Sequence, residues 1–397
     1  MTISDLPLSY CTNVHPAQTP TEVFSGLEDF TVPAQREFGG PVAAGLWLAK
    51  SVTDKILHAP SGIGAHEFAQ GVVGRGLQCY TLNAFPYGNF HSARVKEQVY
   101  LPDWTQSSRR EYTQDCAEIL SELLGDRTEG SISTVPLGFK GFPNAPDFQV
   151  RCAQELLELT RFLKQLQDKT GKTIRLAIEP EPFCVLETIP ETRQFFALLR
   201  QQAEIAGLRD DVDEFIGVCF DVCHQAVEYE DISDCFRQLA ADQIRINKLH
   251  ITCALQLDHP AQNIEGREAL ARYAEPRYLH QTIAPSPTGG QLRCIDLTPE
   301  MALNPPQDFL QADSWRIHFH VPVNAERIGP LNTTRPQLLQ ALREIPGLPY
   351  APHLEVETYT WEVLPDTPAV QSRERLVHGL AQELRATNQL LVELIKG

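Results

Sequence analysis

Phe215-Ile-Gly-Val-Cys-Phe-Asp221, the helical stretch Ile232–Asp242, and Ile246-Asn-Lys-Leu-His-Ile-Thr252 together decide the fold. Two short apolar runs flank an amphipathic helix. Strands joined through such a helix must be parallel, because the crossover returns the chain to the same edge. The same rhythm continues outward through the candidate strands Leu6–Asn13, Val42–Ala49, Leu77–Asn83, Ser131–Leu137, Thr173–Glu179 and Leu354–Tyr359. Helical patterns fall at Arg109–Leu124, Asp147–Lys169, Pro190–Ala206 and Val370–Ile395. In Asp147–Lys169 the positions Val150, Leu156, Leu157, Leu159, Phe162, Leu163 and Leu166 recur at helical spacing and predict one buried stripe. Eight strand–helix units predict a (β/α)8 TIM barrel, a single domain over residues 1–397. The rhythm breaks between Ala254 and Pro330. Tyr278–Ile283, the turn Pro285-Ser-Pro-Thr-Gly-Gly290, Leu292–Leu297 and Trp315–Val323 predict an insertion after the seventh strand, with a hairpin and a further strand.

The composition suits a soluble globular chain, with 42% hydrophobic and 21% charged residues over 397 positions. Met1–Cys11 lacks the basic start and apolar run of a signal peptide, and no segment approaches the ~18 apolar residues of a membrane span. The ten cysteines are scattered without a CxxC pair, and Cys219 and Cys253 sit in apolar runs. That pattern predicts reduced thiols and a cytoplasmic setting. The net charge of −17 argues against nucleic acid, which is bound mainly through Lys and Arg. A small polar ligand is the expected partner.

In barrel enzymes the C-terminal strand ends carry the chemistry. Here they read Asn13-Val-His15, Asn83 leading on to His91, Glu179-Pro-Glu181, Asp221-Val-Cys-His224, Lys248-Leu-His250 and Glu355-Val-Glu357, and the insertion adds His318-Phe-His320. Carboxylates and imidazoles are the usual O and N ligands of Mn, Zn, Mg or Fe. Taken singly each has another reading: Asp221 suits a helix N-cap, and His318-x-His320 shares one face of a strand by period-two alternation alone. In conjunction, ligand types at the same end of successive elements predict a divalent-metal centre.

At these residues the sequence resembles the xylose-isomerase-like barrel superfamily, which holds sugar isomerases and epimerases and the endonuclease IV group. Asp221-Val-Cys-His224 is similar to the Asp-Thr-Cys-His segment of the endonuclease group, in which Asp and His both reach metals. His250 matches its seventh-strand ligand, His318-x-His320 an Asp-x-His, and Glu179 and Glu357 the fifth- and eighth-strand ligands. His318 in place of Asp departs from that pattern and puts the endonuclease group's third metal in doubt. The resemblance thus implies the metal ligands Glu179, Asp221, His224, His250, His318, His320 and Glu357. Its epimerase branch implies one ion on Glu179, Asp221, His250 and Glu357.

Four longer segments, Tyr10–Pro16, Leu82–His91, Val95–Trp104 and Ile178–Pro182, resemble the family of metabolite-traffic protein EboE. That resemblance implies a secondary-metabolite setting and protein partners from the same gene cluster.

An epimerase-like site implies metal-assisted proton transfer on a small hydroxy-carbonyl substrate, with Glu179 and Glu357 exchanging the proton from opposite faces. His15, Asn83, His91 and Lys248 are the expected substrate-binding groups, with His224 also in reach of substrate oxygens. Asn13 would line the mouth, and Tyr87 and Phe90 would offer an apolar wall. Two rival activities are metal-dependent phosphoester hydrolysis, as in endonuclease IV, and non-catalytic carriage of a metabolite. The apolar face of the last helix would either pack on the barrel or meet a partner.

Overall fold

The structure, a computed structural model, describes residues 6–365 and 372–396. Residues 1–5 of the stretch scanned for a leader, and the start of the last helix at Val370, lie outside the described residues.

Fourteen strands occur among the described residues: β1 (Ser9–Cys11), β2 (Ala43–Trp47), β3 (Thr81–Asn83), β4 (Glu129–Thr134), β5 (Thr173–Ile178), β6 (Ile216–Asp221), β7 (Ile246–Ile251), β8 (Cys253–Asp258), β9 (Thr282–Pro285), β10 (Gln291–Cys294), β11 (Ser314–Val321), β12 (Arg327–Ile328), β13 (Leu331–Thr333) and β14 (His353–Val356). Strands β1 to β7 and β14 close into a parallel barrel in the order β1-β14-β7-β6-β5-β4-β3-β2. The (β/α)8 architecture expected from the strand–helix rhythm is therefore present. The helices form where the apolar stripes fall. Phe148–Thr170 buries Leu156, Leu157, Leu159, Leu163 and Leu166 against the sheet, while Val150 and Phe162 are only half-buried. Ile189–Ala206 starts at a capping box in which the Thr188 hydroxyl accepts from Glu191 N and the Glu191 carboxylate accepts from Thr188 N.

Between β7 and β14 a second, antiparallel sheet forms in the order β10-β9-β11-β8-β13-β12. Where the sequence predicts strands at Tyr278–Ile283, Leu292–Leu297 and Trp315–Val323, the structure has β9 at Thr282–Pro285, β10 at Gln291–Cys294 and β11 at Ser314–Val321. Strand β8 and the helix Ile264–Tyr273 do not appear in the sequence reading. Only Thr252 separates β8 from β7, with no turn residue to mark the break. Arg293 on β10 ties this sheet to the barrel loops through the buried carboxylates of Glu187 and Glu228.

The last helix, Ser372–Lys396, packs on the barrel. It buries Leu376, Leu380, Ala381 and Leu384, and Glu383 accepts from Val323 N at 3.1 Å, Thr358 Oγ1 at 2.7 Å and Trp361 Nε1 at 3.0 Å. Its apolar face is thereby covered by the chain itself. None of the helices among the described residues is long and apolar enough to cross a membrane.

Candidate metal centre

Barrel register builds the centre. Asp221 on β6 pairs with His250 on β7, and His250 pairs with Glu355 on β14. Glu179 follows β5 by one residue and Glu357 follows β14 by one. Glu179, Asp221, His250 and Glu357 converge, each offering a ligand atom within 4.8 Å of the others'. His250 Nδ1 lies 3.1 Å from Glu179 Oε1, 3.0 Å from Glu357 Oε2 and 3.5 Å from Asp221 Oδ2. All four side chains are buried.

Each carboxylate is held by one oxygen and presents the other. Asp221 Oδ1 accepts from Thr252 Oγ1 at 2.6 Å and from His224 N at 3.1 Å. Asp221 is therefore a helix N-cap as well as a member of the cluster. Its Oδ2 has no hydrogen-bond partner, and neither has Glu179 Oε2. Glu357 Oε1 accepts from Asn13 Nδ2 at 2.8 Å and Asn83 Nδ2 at 3.0 Å. Burial alone would raise the carboxylates. The facing imidazoles, His224 for Asp221 and His250 for Glu357, hold Asp221 well below the usual range and Glu357 at about 2. Burial would likewise lower His250, but Cys219, Glu357 and Glu179 around it raise it well above its ordinary value. Three carboxylates buried around one nitrogen, with two orphaned oxygens, form a donor set that fits a hard or borderline divalent cation.

A second convergence adjoins it. His224 Nε2 lies 3.1 Å from His318 Nε2, and His318 Nε2 lies 3.3 Å from His320 Nε2. Asp221 Oδ2 is 3.9 Å from both His224 Nε2 and His320 Nε2. Each imidazole directs Nδ1 at a carbonyl oxygen: His224 at Pro180 O (2.9 Å), His320 at Glu357 O (3.0 Å) and His318 at Gln281 Oε1 (2.8 Å). Gln281 Nε2 faces Tyr100 OH at 3.0 Å, which fixes the amide so that its oxygen meets His318. Burial first, then the neighbouring imidazoles, hold His318 well below its ordinary value.

The remaining sequence candidates separate. Asn13, Asn83 and Phe90 line a cavity of about 60 Å3 beside the centre, together with Glu179, Glu181, His224 and Glu357. That volume holds a handful of water molecules. Its apolar side is Phe85, Phe90, Tyr100, Tyr278 and Tyr359. Lys248 is not on this wall. It is fully buried inside the barrel, with Nζ 2.7 Å from Glu355 Oε1, because its side chain shares the inward face with His250 two residues on. His15 is buried against Phe30 and bonded to Tyr10 OH at 2.8 Å. His91 Nε2 donates to Asn13 O at 2.8 Å, so it steadies the loop that carries Asn13. Tyr87 packs edge-on to Tyr112.

The sequence reading noted Glu181 and Glu355 at strand ends without assigning them. Glu181 lines the cavity, accepts from Tyr100 OH at 2.7 Å and is pushed up to about 7 by burial.

No family model matches the chain, and no curated protein matches it. Solved structures do. A xylose isomerase-like TIM barrel protein from Mycobacterium smegmatis in complex with magnesium aligns over 96% of this chain and 98% of its own, with 11% identity and a TM-score of 0.50. The IOLI protein with a bound zinc atom aligns over 98% and 99%, with 11% identity and a TM-score of 0.51. The fold is that of a xylose-isomerase-like (β/α)8 barrel.

Proposed function

We propose that this chain is a metal-dependent enzyme that moves a proton next to the carbonyl of a small, hydroxylated, sugar-like substrate. One observation carries the reading: Glu179, Asp221, His250 and Glu357 converge with two carboxylate oxygens unpartnered, and Glu179 and Glu357 of these four line a small, aromatic-walled cavity. Glu179, Asp221, His250 and Glu357 would hold a divalent ion, which would supply Lewis-acid stabilisation of negative charge developing on a substrate oxygen. Glu179 is the base of the two glutamates in this reading, since the N–H groups of Asn13 and Asn83 donate to Glu357 Oε1 and make that carboxylate less basic. Those asparagines fix Glu357 as a ligand, and Asn13 Oδ1, which has no partner, would accept from a substrate hydroxyl. Two neighbours of the same fold carrying magnesium and zinc support a cation at the centre. The four segments similar to the EboE family support a secondary-metabolite precursor as substrate and partner proteins from one gene cluster, and the scattered cysteines support a cytoplasmic setting.

The test is proton exchange. The metal-loaded chain is incubated with ketopentoses and ketohexoses in deuterated water and followed by NMR. Deuterium entering at the carbon beside the carbonyl, and failing to enter with Glu179→Gln, is the expected result. Binding without exchange across the panel would sink the reading and leave a metabolite carrier.

The imidazole cluster favours a second reading, hydrolysis of a small phosphoester by two cations sharing Asp221. His224 Nε2 and His320 Nε2 each lie 3.9 Å from Asp221 Oδ2. Phosphate release from 4-nitrophenyl phosphate that needs two ions per chain would favour it over proton transfer.

A further inference from the structure

We infer that Glu355 is a positioning residue for His250. Held by Lys248 and Ser9 in a gap that glycine at position 45 leaves open, it faces Nε2 of the imidazole and so turns Nδ1 toward Glu179, Asp221 and Glu357. This rests on the reading above that those side chains hold a cation.

Asp221, His250, Glu355 and Ser9 pair in one continuous layer around the barrel. Glu355 is fully buried, with Oε2 accepting from Ser9 Oγ at 2.9 Å. Its Oε1 lies 2.7 Å from Lys248 Nζ and 3.3 Å from His250 Nε2. The last contact is too oblique to count as a hydrogen bond, and His250 Nε2 has no other partner. Once the Nδ1 lone pair is given to a cation, the ring proton must sit on Nε2, inside the barrel, where it needs an acceptor. Glu355 is the carboxylate within reach; Cys219, also beside the ring, is a far weaker acceptor. Lys248 supplies the opposite charge that keeps a carboxylate tenable at that depth, with Leu82 O and Ser133 Oγ each 3.3 Å from its Nζ. A buried ion pair is poor value for stability, because apolar residues of similar volume do as well or better. Its place directly under a candidate ligand therefore calls for a role in holding that ligand. Carboxylates behind metal-bound histidines fix the ring's tautomer and direction in this way.

Cobalt(II) is the probe. The wild-type chain is titrated and its visible absorption followed in competition with a chelator; the binding step lost in Glu357→Gln marks this cluster. Absence of any such step in wild type overturns the cluster as a metal site. Given the step, the neutral pair Lys248→Met with Glu355→Gln is expected to weaken it about 10- to 100-fold, with the unfolding temperature little changed. Unchanged affinity in the folded double variant overturns the role of Glu355 and leaves the metal site standing. Should the double variant not fold, histidine nitrogen NMR of the zinc-loaded wild type decides. A proton on His250 Nε2 and a metal-shifted Nδ1 are expected, and the reverse arrangement overturns the inference.

Discussion

His224 and His318 meet Nε2 to Nε2 at 3.1 Å, although each has already directed Nδ1 at a carbonyl oxygen. A neutral imidazole has one N–H, so with both hydrogens on Nδ1 two lone pairs face each other across that gap. Something positive must lie between them, either an extra proton on His224 or a cation. Burial opposes the proton, but Asp221 and the nearby glutamates raise His224 above its ordinary value. His320 joins the gap with a third nitrogen 3.3 Å from His318. Three imidazoles and a carboxylate suit zinc, manganese or iron far better than magnesium, which prefers oxygen.

The cation alternative gives a count. Zinc-loaded wild-type protein is expected to hold about two ions per chain by mass spectrometry of the metal, and His318→Asn about one. An equal count in the two proteins would assign the gap to a proton instead.

Proton transfer separates the carboxylates by role. Glu179→Gln is expected to slow exchange in deuterated water by roughly 10²- to 10⁴-fold, the usual worth of a positioned base. Asn13→Ala should cost far less, because Asn83 still holds Glu357 Oε1. A comparable loss in both variants would show that locking Glu357, rather than a base at Glu179, limits the reaction.

Much of this was legible before any coordinates. Strand ends could be read because an apolar run stops where polar chemistry begins, and Glu179, Asp221, His250 and Glu357 all sit at such stops. His224, His318 and His320 came with them. Lys248 was misplaced because a lysine at a strand end reads as solvent-facing. Period-two alternation with His250 turns it inward, and the register of β7 against β14, which sets Glu355 beside His250 and His353 beside Lys248, gives it a buried carboxylate to meet. No pattern within a single strand encodes that register. His15 and His91 were misplaced because loop direction decides where a rim histidine points: His15 turns back onto Tyr10 and Phe30, and His91 reaches across to the carbonyl of Asn13. Strand β8 was missed since nothing in Thr252-Cys-Ala254 signals a break.

Acid sensitivity follows from two histidines outside the metal cluster. Burial, reinforced by Lys248, lowers His353 to about 3, and burial with His91 lowers His15 to about 3. In the unfolded chain both would take protons near 6.5. At these two rings the unfolded state binds more protons than the folded one between pH 6.5 and 3, so their contribution to stability falls as pH falls through that window. Glu181, Glu228, Glu230 and Glu383, pushed up to about 7 by burial, act in the opposite sense. Each group contributes up to about 1.4 kcal/mol per pH unit. Urea unfolding at pH 7.5 and 5.5 should show stability changing less favourably on acidification in wild type than in His353→Gln. An unchanged slope in that variant would mean the ring is already charged in the fold.

The gap under His250 can be tested by a double-mutant cycle. A Cβ built at Gly45 would lie 1.4 Å from Glu355 Oε2 and 2.8 Å from Ser9 Oγ, so alanine there must displace the carboxylate. Overpacking a filled interior costs typically 1–3 kcal/mol, and a clash this deep belongs at or above the top of that range. Glu355→Ala alone should also destabilise, by about 3–5 kcal/mol, since it strands the buried Lys248 ammonium. The two changes share one space, so their costs should not add. Gly45→Ala made on top of Glu355→Ala is expected to cost at least about 1 kcal/mol less than in wild type, measured by urea unfolding of all four proteins. Strict additivity would mean that Gly45 serves the barrel backbone alone, and that Glu355 keeps its position without it.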